Sequence, residues 1–191
     1  MLGAAGNVSE RAAELVAITP AGAVLEQLEP EEVVVIDLEA NLIEGHGVAS
    51  SEVALHLGAY QRYGVGAVVH AHPPVATAVA CVLEELPVVH YQMAALGGSV
   101  RVAPYATFGS QELAQCTLDA LADRVAVLMS NHGALTVGPD LGSAVGTARL
   151  LEWICTVYWR SSILGPPREL DSDQLHAVVQ AVAARSSGTP R

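Results

Sequence analysis

The chain contains no lysine, and all nine of its basic residues are arginine. Without a lysine amine no Schiff base to a substrate carbonyl can form. A P-loop is excluded too, because its phosphate-binding lysine is missing. Any carbanion or enolate made here must be stabilised by a metal ion or by hydrogen-bond donors. Cysteine is scarce: Cys81, Cys116 and Cys155 are odd in number, widely spaced and include no CxxC pair. That pattern implies reduced thiols in a cytosol-like compartment, not a disulfide framework or a cysteine zinc site. Long apolar runs are absent as well. Although 51% of residues are hydrophobic, none of the runs reaches the roughly 18 residues a membrane span requires. No basic cluster breaks the formal charge of −11, which makes nucleic acid and anionic membrane surfaces poor partners. The opening Met1-Leu2-Gly3-Ala4-Ala5-Gly6 lacks the basic and apolar regions of a secretory signal, so a cytoplasmic location is expected.

What is present reads as one α/β domain over the full 191 residues, a length that supports a sizeable core. Gly6-Asn7-Val8-Ser9 reads as a turn. Strands are expected at Leu15 to Thr19, Val33 to Asp37, Gly66 to His70, Val100 to Ala103 and Val125 to Met129, with Leu135 to Val137 as a hairpin partner of the last. Asn41 to Gly47 reads as loop. Helices are expected from Ser50-Ser51-Glu52 to about Tyr63, from Pro73-Pro74 through Val82, over Gln111 to Asp123, over Gly142 to Leu164 and over Asp171 to Ala184, with a frayed tail from Arg185. Strands and helices alternate without a repeat or linker.

The stretch Val68-Val69-His70-Ala71-His72-Pro73 carries two histidines two residues apart at the end of an apolar run. On a strand both imidazoles project from the same face, which lets one rigid element offer two nitrogens to a metal. Equally, one could be a core histidine and the other a surface one. His132, in Asn131-His132-Gly133, lies at the end of another apolar strand, as a third ligand or as a turn residue. Glu52, at a helix start, is a carboxylate that could meet His72, or a charge favoured there by the helix dipole. Ser50 and Ser51 are caps, or join Asn7 and Gly22 in holding an anion through neutral donors and the helix dipole. His46, His56 and His176 carry no sign of chemistry, and His90 stands beside Tyr91. Tyr91, Tyr105 and Phe108 lie in loops after strands, where functional groups tend to be displayed. Trp153, Tyr158 and Trp159 suit core or subunit contacts.

In this order, Gly6-Asn7-Val8-Ser9, Ile18-Thr19-Pro20, Ser50-Ser51-Glu52, His70-Ala71-His72-Pro73, Ala103-Pro104-Tyr105-Ala106-Thr107-Phe108-Gly109 and Asn131-His132-Gly133 resemble the class II aldolase/adducin family over nearly the whole chain. The resemblance implies a single-domain, three-layer αβα fold with a mostly antiparallel central sheet, here without the family's N-terminal helix. It implies a divalent metal, zinc above all, on His70, His72, His132 and Glu52. Glu52 would also act as the catalytic base and Tyr91, from a neighbouring subunit, as the acid. Asn7, Gly22, Ser50 and Ser51 match the phosphate-binding positions, and Phe108 falls in the substrate pocket. The implied reaction is reversible carbon–carbon cleavage of a small sugar phosphate such as L-fuculose 1-phosphate through a metal-stabilised enediolate. A homotetramer with active sites at subunit interfaces is implied as well. Family members also include decarboxylases, dehydratases, epimerases and non-catalytic adducin-like modules. Glu52 and Tyr91 favour the aldolases over the epimerases, and the three retained histidines argue against a purely structural role. The chain departs from the family pattern at Ala21, at Ala49 and in Arg185-Ser186-Ser187-Gly188, where a tail tyrosine is missing.

Overall fold

A computed structural model describes residues 5–186. The tail read as frayed, and the missing tail tyrosine, fall largely on residues outside that range, as do Met1 to Ala4. Among the described residues nine strands form one sheet: β1 (Asn7–Ala12), β2 (Leu15–Ile18), β3 (Val34–Asp37), β4 (Leu42–Glu44), β5 (Ala67–Ala71), β6 (Glu85–Leu86), β7 (Val100–Ala103), β8 (Ala126–Met129) and β9 (Gly133–Gly138). Their order across the sheet is β4-β3-β2-β1-β5-β9-β8-β7-β6. The sheet is mixed, which corrects the mostly antiparallel expectation in part: β7 runs parallel to β8, while the other neighbouring strands pair antiparallel. The parallel pair exists because α3 crosses over between these two strands, as a parallel connection requires. The helices are α1 (Val53–Tyr63), α2 (Pro74–Ala80), α3 (Gln111–Leu121), α4 (Leu141–Leu164) and α5 (Ser172–Ser186).

Both faces of the sheet are covered, and the alternation of side chains shows how. On β8, Val127 and Met129 join Leu55, Tyr60, Leu113 and Leu118 of α1 and α3 in one core cluster. Ala126 and Leu128 point the other way, into a cluster with Val79 of α2 and Leu151 and Ile154 of α4. A strand buried on both sides is apolar at every position, which is why β8 stands out as a continuous apolar run.

Local turn chemistry misleads at two places. Gly6-Asn7-Val8-Ser9 is not a turn: Asn7 opens β1, and Asn7 and Ser9 are buried there. These polar residues occupy alternate strand positions because α1 supplies their hydrogen-bond partners across the layer. Asn41 to Gly47 is not wholly loop either, since Leu42–Glu44 adds β4 to the edge beside β3. Its side chains are exposed, so no buried face marks it as a strand.

Candidate functional site

Register assembles the site. In β1 and β5, Asn7 stands directly opposite His70. In β5 and β9, Ala71 stands opposite Ala134, so His72, just past the end of β5, meets His132, just before the start of β9. His132 follows Asn131, which takes a left-handed φ of 53°, a conformation asparagine tolerates. Gly133 permits the approach: a Cβ there would lie 2.5 Å from the Ala71 carbonyl oxygen and 2.7 Å from Cδ2 of His72. The three imidazoles pack edge to face with centroids 4.8, 4.9 and 4.8 Å apart, and one ligand nitrogen of each lies within 4.8 Å of the others.

Glu52 is the N-cap residue of α1. The loop before it is pinned to Pro20 by a bridge with Ala49. The Ser50 hydroxyl accepts from the Glu52 N–H at 3.2 Å, so it ties down the helix entry from two residues before the N-cap position. The carboxylate is 7% exposed. Its Oε2 lies 3.1 Å from Nε2 of His70 and its Oε1 lies 3.4 Å from Nε2 of His132. Asn7 Nδ2 donates to Oε2 at 2.9 Å.

This arrangement fits a divalent cation. Nδ1 of His70 lies 3.0 Å from the Ala134 carbonyl oxygen. Nδ1 therefore carries the proton, and Nε2 presents its lone pair. That lone pair faces Nε2 of His72 at 2.9 Å and the Glu52 carboxylate. A lone pair facing a carboxylate in a buried site is repelled unless a positive charge sits between them. Among the described residues Oε1 of Glu52 has no hydrogen-bond partner, which leaves it available as a further donor atom to that charge. Three imidazole nitrogens and a carboxylate match the ligand set of zinc and related ions. Ionisation suits it as well. Burial pushes the Glu52 carboxyl up, but while the cluster holds no cation protonated imidazoles take its place, and hydrogen bonding and charge from His70, with Asn7 and His132, outweigh burial and hold the group at about 2. Burial, then His70 and His132, depress His72 to about 4, and burial and His70 lower His132. Neutral imidazoles and an ionised carboxylate are the ligating forms.

A cavity of about 230 Å³ opens beside these groups, lined by Asn7, Gly22, Ser50, Ser51, Glu52, His72, Phe108 and His132 among others. The expected phosphate residues and Phe108 thus share one wall with the histidine cluster. Gly22 takes a φ of +77°, which suits glycine. A second, wider depression of about 690 Å³ shares His72 and His132 and continues over Pro74, Thr77 and Glu152. Tyr91 lines neither cavity. It is 54% exposed at the start of a short 3-10 turn, its ring against His90, which in turn meets Trp153.

Two residues escaped the sequence reading. His56 is fully buried, between Ser9 Oγ at 2.6 Å and Asn7 Oδ1 at 2.6 Å. Glu152 of α4 accepts from the free N–H groups of Val75 and Ala76 at 3.1 and 2.7 Å, which fixes the start of α2 directly after His72-Pro73. The i, i+4, i+8 spacing of Glu52, His56 and Tyr60 puts all three on one helical face and was the available signal for His56. Glu152 left none, because its partners lie 76 and 77 residues away.

Residues 1–159 match the model of the class II aldolase and adducin N-terminal domain. The chain belongs to this family. A 5-deoxy-D-ribulose 1-phosphate aldolase of Bacillus thuringiensis serovar kurstaki is 38% identical over 176 residues, 91% of this chain and 83% of that protein. The L-fuculose phosphate aldolase of Escherichia coli K12 is 38% identical over 179 residues, 93% of this chain and 83% of that one. The solved structure of an L-fuculose 1-phosphate aldolase superposes with a TM-score of 0.91 at 35% identity, covering 96% of this chain and 88% of that one. The chain is therefore an enzyme of the class II aldolase type, a lyase, and its family depends on a metal that the cluster of His70, His72 and His132 could bind. No helix among the described residues is long and apolar enough to cross a membrane.

Proposed function

We propose that this family member is a zinc-dependent aldolase that cleaves a small ketose 1-phosphate reversibly, with L-fuculose 1-phosphate and 5-deoxyribulose 1-phosphate as the substrates to test first. The observation that carries this reading is that Nε2 of His72 and the Glu52 carboxylate both lie about 3 Å from Nε2 of His70, beside a cavity lined with neutral donors. His70, His72, His132 and Glu52 hold the metal. When bound, it supplies Lewis-acid polarisation of the substrate carbonyl and hydroxyl oxygens. Ser50, Ser51, Gly22 and Asn7 bind the phosphate, which receives no help from a lysine. Phe108 closes the pocket beside it. Glu52 moves the proton on the substrate carbon, and Tyr91 of a neighbouring subunit exchanges the proton of the aldehyde oxygen across the wider depression.

That shared site requires a homotetramer. Exposed Val82 beyond α2 and Trp159 on α4 line one apolar depression, which supports association, because large apolar side chains gathered on one surface mark an interface. The chain works as a single catalytic domain in the cytoplasm. The deciding experiment is metal analysis of the purified protein, followed by a coupled assay of dihydroxyacetone phosphate release from each ketose phosphate. Absence of any divalent metal, with no turnover after adding zinc or cobalt, would sink the reading.

A second reading rests on Ala21. It lines the cavity without the hydroxyl that the family carries at this position, which suits a decarboxylase or dehydratase acting on a non-phosphorylated hydroxy-carbonyl compound. Turnover of hydroxy acids in place of ketose phosphates would favour it. A non-catalytic adducin-like module would show neither activity.

A further inference from the structure

Five side chains form an unbroken row of hydrogen bonds that ends on Glu52. Tyr60 Oη lies 2.6 Å from Ser9 Oγ, and Ser9 Oγ lies 2.6 Å from His56 Nδ1. His56 Nε2 lies 2.6 Å from Asn7 Oδ1, and Asn7 Nδ2 lies 2.9 Å from Glu52 Oε2. Tyr60, Ser9 and His56 are 1%, 2% and 0% exposed and line neither cavity, so none of them touches substrate. They come from two elements whose spacing matches: Asn7 and Ser9 alternate on β1, while Glu52, His56 and Tyr60 follow one face of α1.

The chemistry of the last group sets the direction of the whole row. A carboxylate only accepts, so Asn7 turns its amide nitrogen to Glu52 and its oxygen to His56. His56 must then carry its proton on Nε2 and accept at Nδ1 from the Ser9 hydroxyl. The Ser9 oxygen in turn accepts from Tyr60. Turning any one member round would set two donors or two acceptors face to face in the interior, where neither finds water. The outcome at Glu52 is asymmetric. Oε2 is held by Asn7, whereas Oε1 has no hydrogen-bond partner among the described residues and lies 3.4 Å from Nε2 of His132.

We propose that His56 is a positioning residue: through Asn7 it holds Glu52 Oε2 as a hydrogen-bond acceptor and leaves Oε1 as the oxygen that takes the substrate proton. In the synthetic direction a substrate C–H bond breaks and an O–H bond forms at Oε1. The electron pair stays with the substrate carbon and its carbonyl, and cleavage returns the proton. The proposal rests on the reading of Glu52 as the base, and its tests are chosen so that the two can fail separately.

Nitrogen-15 NMR of the imidazoles in the metal-free protein near pH 7 reads His56 directly. The expected result is a neutral ring protonated at Nε2, and a ring protonated at Nδ1 overturns the proposal. This readout needs no turnover, so a protein without aldolase activity would refute the reaction and leave the positioning role standing or falling on the spectrum. His56→Leu should lower kcat by about 30-fold or more with KM within about threefold, since positioning acts on the reacting geometry. It should also weaken cobalt binding to the metal-free protein by about tenfold, as loss of an outer partner does. His56→Gln, which can still offer an N–H to Asn7, should recover most of both. Should His56→Leu fail to fold, Ser9→Ala removes only one hydroxyl and should mix the two His56 tautomers with a several-fold loss of kcat. A folded variant of either kind with unchanged kcat and cobalt affinity overturns the role, as does a glutamine variant no better than leucine.

Discussion

Glu52 concentrates the chemistry in one carboxylate, and its replacement separates base from ligand set. Glu52→Gln keeps the shape and a hydrogen-bonding side chain but cannot take a proton. We expect kcat for retro-aldol cleavage to fall by about 10²–10⁴, the range for losing a positioned general base, while the protein still binds cobalt. His132→Ala should do the reverse. Removing one of three imidazoles should cost more than the roughly 10–100-fold in metal affinity that follows loss of an outer partner, as measured by competition with a chelator. At this scale the residue types were legible. His-x-His, Asn-His-Gly and Ser-Ser-Glu are short patterns whose chemistry follows from the side chains alone. His56 was not, because a histidine in mid-helix acquires a role only from what packs against it, here Asn7 and Ser9 on β1.

Between elements, the pairing of β5 with β9 and the entry into α2 decide whether the ligands meet. A one-residue slip of a strand would send its side chains to the opposite face, and His70 would leave Glu52 for the far side of the sheet. Gly133→Ala tests the closest approach. The added methyl meets the Ala71 carbonyl oxygen and the His72 ring, and such overpacking typically costs about 1–3 kcal/mol. The expected signature is a lower unfolding midpoint together with weakened metal binding, because the atom displaced belongs to a ligand. Glu152→Ala removes the cap of α2. A loss of about 1 kcal/mol in denaturant unfolding is expected, and it should exceed that of Glu152→Gln, which keeps an acceptor for one of the two N–H groups. The strands with continuous apolar runs, β5 and β8, were legible at this scale. β1 and β4 were not, since one buries polar residues against α1 and the other buries nothing.

The whole molecule carries two further expectations. The first concerns acid. His56 is depressed from 6.5 to about 3 by burial and by His70, so the unfolded chain binds a proton in that interval that the folded chain refuses. Stability from this group is complete above pH 6.5 and drains as pH falls toward 3. Glu52, lowered from 4.5 to about 2, adds a second loss that begins near 4.5 and continues toward 2. Calorimetry of the metal-free protein across pH 7 to 4 should therefore show a melting temperature that falls below about 6.5 and falls faster below about 4.5. His56→Gln should flatten the first part, and a curve that stays level would contradict the burial of a neutral histidine. The second concerns assembly. If Glu52 and Tyr91 act on one substrate from different subunits, then mixing inactive Glu52→Gln and Tyr91→Phe proteins, dissociated and reassembled together, should restore up to about a quarter of the sites, the fraction in which a symmetric ring pairs two intact residues. No recovery would place both residues in one subunit's site or Tyr91 outside it.

The sequence by itself determined the ligand types, the absence of amine chemistry, the alternation of strands and helices, and the family. All of these depend on residue identity and on order along the chain. Only the tertiary structure decided that Asn7 faces Glu52, that His56 orients Asn7, that Glu152 caps α2 and that a cavity joins Gly22 and Ser50 to the histidines. Each of these brings together residues from about 22 to 110 positions apart. Its existence depends on strand register and helix packing, which no local pattern of amino acids encodes.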